Sequence, residues 1–222
     1  MIKNLIIKIK QNIKNAYSSI KNYFRKSINK VRSNKNKTLH VVFIFALLVF
    51  VHSYLSNTIS LFTACMLFII GVFIWSIYEY FIHNFVYHKM SDNYINRTHK
   101  KHHLDINNPE YYHTDFLQAV ILLTPVILFF YTLLPWYYSG FVTSGFLVGF
   151  VLYDIIHYFI HMYHKSPENF RFIKNNNLFK KLYKHHITHH EIKNNSNFSV
   201  TTTFWDILFK TKSVYFGVKN VK

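Results

Sequence analysis

The sequence predicts an all-α integral membrane protein, with about four transmembrane helices beneath a cytosolic cap of short histidine-rich helices. Three observations predict it. Half of the 222 residues are apolar, yet the formal net charge is +17. The two are compatible only if apolar and basic residues are segregated, and they are, in alternating segments. Ten of the fifteen histidines then collect in four spaced groups at or just beyond the ends of two apolar runs.

Residues 1–38 carry eleven Lys or Arg and no acid. Apolar residues recur at Ile2, Ile6, Ile9, Ile13, Tyr17, Ile20 and Phe24, the spacing of one helix face. This segment reads as a basic amphipathic helix lying on an anionic membrane surface. Cations interrupt it too often for a signal peptide, and Lys outnumbers Arg, which weakens a mitochondrial presequence. Residues 39–222 read as one transmembrane domain.

The run "LHVVFIFALLVFVHSYLSNTISLFTACMLFIIGVFIWSIYEYFIH" is long enough for two spans, at about 39–56 and 59–81, broken near Ser56-Asn57. A second pair follows at about 116–138 and 140–160. Pro125 is expected to kink the third span, and Pro135, Trp136 and Tyr137 to mark its interfacial end. Cys65, the single cysteine, falls in an apolar run and is expected as a small buried residue. One cysteine makes no disulfide framework or thiolate cluster, so any metal must use nitrogen and oxygen ligands.

Charge asymmetry sets the orientation. Lys89, Arg97, Lys100 and Lys101 fall in the loop after span two, and many lysines follow span four. The two opposite turns, near 56–58 and 138–140, have no Lys or Arg. By the positive-inside rule both termini and the histidine groups are cytosolic. The sequons at Asn36, Asn96 and Asn197 are then expected to stay unglycosylated. The basic charge is accounted for by the membrane, and no nucleic-acid partner is expected.

His83 and His88 form H-x4-H, and His99, His102 and His103 form H-x2-HH. His157 and His161 form H-x3-H, and His186, His189 and His190 a second H-x2-HH. Residues four apart share a helix face, so His157 and His161 can point at one centre. In H-x2-HH the first and last share a face while the middle one lies about 100° from the last, so one short helix can serve two neighbouring metals. Ten ligands suit two ions with room for an exogenous ligand. An all-imidazole set suits iron or zinc and disfavours calcium and magnesium.

Glu79, Asp154, Asp105 and Glu191 lie near these groups and are candidates to accept the far ring N–H of a ligand. His40 and His52 stand alone in or beside span one. His113, His164 and His185 neighbour the groups without joining the pattern.

The order of the four motifs resembles the fatty acid hydroxylase superfamily, which includes sterol desaturases and carotenoid hydroxylases. Within it, "WSIYEYFIHNFVYH", "GFVLYDIIHYFIH", "LYKHHITHH" and "NFSVTTTFWDILF" look like segments of the fatty acid 2-hydroxylases acting on sphingolipid acyl chains. The likeness runs from about residue 70 to 212. It implies a dimetal centre, di-iron in the active enzyme although a purified sample can hold zinc, that inserts one atom of O2 into an aliphatic C–H bond. It also implies that Trp205 and Asp206 help shape the site or its cap. Some relatives carry a fused cytochrome b5 domain. The 38 residues before span one are too few for one and no HPGG occurs, so a separate cytochrome b5-type or other reductase donor is expected. Where related 2-hydroxylases tend to have a basic Pro-Pro stretch, this chain has "LDINNPEYYHTDFLQ", so the carbon attacked and the head group stay open. Alternatives are a sterol or carotenoid oxygenase of the same superfamily and a zinc-handling membrane protein. Endoplasmic reticulum and bacterial inner membrane both suit the topology.

Overall fold

The computed structural model describes residues 35–213 except 171, 172, 174, 193 and 194, together with Gln11, Lys14 and Ser18. The amphipathic helix expected over 1–38 lies outside the described residues, apart from these isolated positions and the few residues that open the first helix. The elements in order are α1 (Lys35–Leu55), α2 (Leu61–Phe81) continued by a π-helical turn (Ile82–Tyr87), and α3 (Tyr94–Leu104). Then come α4 (Phe116–Leu133), α5 (Trp136–Lys165), α6 (Asn177–Glu191) and the short α7 (Phe204–Leu208). No strand occurs among the described residues.

Four segments are long and apolar enough to cross a membrane: Lys37–Leu55, Leu61–Tyr87, Pro109–Leu133 and Trp136–Lys165. Local chemistry sets their limits. The Ser60 side chain caps α2 by accepting from the Thr63 N–H at 3.2 Å. A reciprocal capping box between Asp115 and Gln118 starts α4. That helix runs on through Pro125 but stops at Leu133, short of the expected 138. Pro135 disfavours a helical Leu134, which is extended instead. The same proline precedes α5, whose 30 residues make it about 45 Å long, well beyond the expected 140–160.

The hub is α5: 78% of its apolar 18-residue stretch is buried, against 17–28% of the corresponding stretches in the other three. Its closest neighbour is α2, and the backbones touch where glycines face each other. A Cβ on Gly71 would lie 2.1 Å from the Val142 carbonyl oxygen, and one on Gly145 only 1.9 Å from that of Phe68. Small residues permit this approach, as in membrane helix pairs generally. One turn further on, Trp75 packs against Phe146, Phe150 and Tyr153 with ring centroids 5.3–5.8 Å apart. Phe43, Leu48, Phe62, Phe73, Leu128 and Phe129 are exposed outward, where lipid would cover them. Cys65 is half-buried rather than buried, because it faces an apolar groove between α1 and α2 lined also by Phe43, Leu47, Phe50 and Phe68.

This frame sets the depth of the histidines. At 1.5 Å per residue, His83 stands about 33 Å from the start of α2 and His157 about 32 Å from the start of α5, each one hydrocarbon thickness along its helix.

Candidate metal centre

Each ligand pair emerges where a span ends. His83 and His88 are five residues apart, which an ordinary helix would place about 140° apart. The π-helical turn at Ile82–Tyr87 corrects this, since its hydrogen bonds close every five residues. The next three histidines ride on α3, which begins at an Asn93 cap accepting from the Asn96 N–H at 2.9 Å. The last three ride on α6, capped in the same way by Asn176 on the Phe179 N–H.

The structure sorts the ten imidazoles into two groups of five. His83, His88, His99, His103 and His189 form one, and His102, His157, His161, His186 and His190 the other. Within each, one nitrogen per ring lies within 4.8 Å of every other. In the first, four Nε2 atoms close a ring: His88–His99 3.0 Å, His99–His103 3.0 Å, His103–His189 3.2 Å and His189–His88 3.1 Å. His83 stands 3.1 Å from His99. In the second, the chain His102–His157–His161–His186–His190 steps by 3.0–3.1 Å.

These separations have a chemical meaning. For metal–nitrogen bonds of about 2.1 Å, ligands at right angles lie about 3.0 Å apart and tetrahedral ligands about 3.4 Å apart. The observed spacing matches the right-angled case, so five nitrogens leave a corner open. A closed tetrahedral structural site has neither five donors nor this spacing. Five ring nitrogens aimed at one point cannot all be satisfied by protons between them, but a cation satisfies them together.

The rings are held neutral for that role. Burial, before any other cause, pushes His88 down to about 4 and His103 to about 3. It holds His99, His186, His189 and His190 well below the ordinary value. Backbone carbonyls set three of the tautomers. Nδ1 of His83 donates to Phe198 O, Nδ1 of His157 to Tyr112 O at 2.8 Å, and Nδ1 of His189 to Ser196 O at 2.6 Å. Each leaves Nε2 with a lone pair turned inward.

The two groups mirror each other. α2 and α3 give His83, His88, His99 and His103 to the first group and His102 to the second. α5 and α6 give His157, His161, His186 and His190 to the second and His189 to the first. Each half of the chain thus supplies four nitrogens to its own group and one to its partner's.

The four acids expected to accept ring N–H groups have other partners. Glu79 accepts from the Val200 N–H, the Thr201 N–H at 2.9 Å and the Thr201 hydroxyl at 2.6 Å. Asp154 accepts from His113 and from the Thr114 N–H at 2.7 Å. Asp105 is exposed and accepts from Asn108, closing a turn, and Glu191 pairs with His164 at 3.3 Å. The far nitrogens of His83, His157 and His189 are already taken by backbone carbonyls, which is why no acid meets them. Sequence reasoning gave Asp206 too small a part. It is buried and accepts from His185, from the Phe198 and Ser199 N–H groups, and from Thr211. Burial alone would raise its carboxyl, but those donors hold it below the usual range.

His185 therefore belongs to Asp206, His113 to Asp154, and His164 to Tyr183 and Glu191. His40 and His52 are exposed on α1, outside both groups. Asn96 and Asn197 are buried, bonded to Tyr87 O and His185 O, so their sequons are closed to glycosylation in the fold whichever side they face. A cavity of about 30 Å³ adjoins both groups at His99, His102 and His157, walled by Tyr87, Tyr153 and Tyr112. It has room for one or two waters or a diatomic molecule.

Residues 68–211 match the fatty acid hydroxylase family. The chain is 36% identical over 169 residues to the "Ceramide very long chain fatty acid hydroxylase SCS7" of Saccharomyces cerevisiae, covering 71% of this chain and 40% of that protein. It is 33% identical over 152 residues to the "Fatty acid 2-hydroxylase" of Homo sapiens, covering 65% of this chain and 39% of the other. It spans about two-fifths of the length of these relatives. A solved structure described as "Full length scs7p (only hydroxylase domain visible)" aligns with a TM-score of 0.62 at 30% identity, over 79% of this chain and 67% of that one. A match over most of the chain joins the four apolar helices and the ordered histidine motifs, and with them the chain belongs to the fatty acid hydroxylase family.

Proposed function

We propose that the chain hydroxylates an aliphatic C–H bond of a membrane lipid with O2, its ten histidines holding two metal ions, iron in the active enzyme. One observation supports this above the rest: two groups of five imidazoles side by side at the membrane ends of the spans, each at right-angle spacing with a corner open. Relatives named as fatty acid 2-hydroxylases and ceramide hydroxylases favour carbon 2 of a fatty acyl chain, carried by ceramide. A zinc transporter would instead place its ligands along a path near the bilayer midplane.

Bound iron supplies the activation of O2. One oxygen atom enters the C–H bond and the other leaves as water, using two electrons from a separate donor of the cytochrome b5 type and two protons from solvent. The chain contributes position. Neutral imidazoles offer lone pairs, the carbonyls of Phe198, Ser196 and Tyr112 fix three rings, and Tyr87, Tyr112 and Tyr153 wall the small cavity that adjoins both groups. The site faces the cytosol, where an acyl chain rising from the leaflet and a soluble donor can both reach it.

The test is lipid mass spectrometry after expression in a host that lacks 2-hydroxy fatty acids. Wild type is expected to yield 2-hydroxylated acyl chains, and His186→Ala none. Wild type that loads metal yet leaves acyl chains, sterols and carotenoids unoxidised overturns the reading. Oxygenated sterol or carotenoid alone reassigns the substrate.

A further inference from the structure

Residues 196–201 run as a strap over the first histidine group. The carbonyls of Ser196 and Phe198 reach the far nitrogens of His189 and His83, both in that group. Asn197 between them is left-handed at φ 57°, a conformation Asn tolerates, and its side chain is tied to His185 O at 3.2 Å and the Ser213 N–H at 2.7 Å. Two buried carboxylates grip the strap. Asp206 takes the N–H groups of Phe198 at 2.8 Å and Ser199 at 2.9 Å, and Glu79 takes those of Val200 and Thr201. Each grip falls two residues after a ring-holding carbonyl: Phe198 follows Ser196, and Val200 follows Phe198. The second group repeats the device once, with Asp154 gripping Thr114 two residues after Tyr112, which holds His157.

We infer that Asp206 and Glu79 are positioning residues for the first metal alone, acting through the strap and on no ligand ring, since His185, the one ring that Asp206 meets, is in neither group. This rests on the reading that each histidine group holds a metal. A purely structural role would loosen both groups together, because α3 and α6 serve both. A positioning role releases one metal and keeps the other. Removing such outer partners commonly weakens metal affinity about 10–100-fold.

The experiment loads the purified chain in lipid nanodiscs with iron-57 as Fe(II) under anaerobic conditions, with free iron about tenfold above the dissociation constant of wild type. Iron per chain and the Mössbauer spectrum are recorded, and helicity is checked by circular dichroism. Wild type is expected to hold two irons. Asp206→Asn and Glu79→Gln, at opposite ends of the strap, are each expected to hold one, with half the spectrum lost. Their double variant is expected to hold one as well, whereas Asp206→Asn combined with Asp154→Asn holds none. Asp206→Glu, which restores the charge, is expected to regain part of the second iron. Helical Asp206→Asn and Glu79→Gln proteins that keep two irons, or lose both together, overturn the inference while leaving the proposed function standing. Wild type that binds no iron, cobalt or zinc sinks the proposed function, and this inference with it.

Discussion

The two halves of the chain perform the same task with different local chemistry. α2 and α3 build one histidine group, α5 and α6 the other, and each lends one ring across. In the first half the ligand pair is H-x4-H and needs a π-turn, whereas in the second it is H-x3-H on an unbroken helix. The first group has two rings fixed by strap carbonyls. In the second, His157 is so fixed, while the buried Nδ1 atoms of His161, His186 and His190 have no hydrogen-bond partner among the described residues. Tyrosine stacking supports both groups, with one ring in the first, Tyr87 on His99 at 4.5 Å and 28°, and two in the second, Tyr112 on His161 at 4.9 Å and 21° and Tyr153 on His157 at 5.8 Å and 12°. Carbonyls thus hold two rings of the first centre and one of the second, while tyrosines stack on one ring of the first and two of the second. The first should respond sharply to small backbone changes, the second more gradually to lost contact area.

The sharpest way to break this comparison is to insert one alanine into the π-turn, between Val86 and Tyr87. The two histidines are then six residues apart and His88 rotates by about 100°, off the first group. Loss of one of two metals and of all detectable product is expected, by elemental analysis and lipid mass spectrometry, and retention of both metals would refute the role of the π-turn. A smaller effect is expected from Tyr112→Leu, which removes the stack on His161 and keeps the carbonyl that holds His157. An aromatic pair contributes about 0.5–1.5 kcal/mol, so one metal should bind about two- to thirteenfold more weakly in a chelator competition, the other unchanged. Weakening of both metals would show that the Tyr112 stack does not act on the second group alone. The mildest test is acid. In metal-free protein, burial holds His88 near 4 and His103 near 3, against an ordinary 6.5. Between about pH 6.5 and 4 the unfolded chain binds more protons than the folded one, so stability falls as pH drops through that window and is flat above about 7. Thermal unfolding of the metal-free chain should show this slope, and an equal Tm at pH 7 and pH 5 would contradict it.

Much of this plan was legible in the sequence, for identifiable reasons. Spans announce themselves by length and apolarity, and a helix converts i, i+3 and i+4 spacing directly into faces. His99 and His103 against His102 could therefore be assigned to different centres from spacing alone. What stayed hidden depends on backbone. A carbonyl that holds a ring leaves no residue signature, and Phe198 O lies 115 residues from His83. Glu79 was noticed for its nearness to His83 in the chain, but its partners are at 200 and 201. The π-turn was equally silent, because H-x4-H does not say how the helix accommodates it. Pro135 shortened the third span and lengthened the fourth through the conformation it imposes on Leu134, a local rule with a distant effect on depth.

His102 and His103 are chain neighbours that turn to different groups, and so are His189 and His190. The gap between the two centres is therefore bridged twice by a single peptide unit, whose Cα atoms are held about 3.8 Å apart by covalent geometry. Breathing of the four spans can tilt or raise the pair in the leaflet but can stretch it only as far as the side-chain torsions of these four histidines allow. The chain carries a ruler, made of bonds and not of packing, for the distance across which two metals would share one molecule of oxygen.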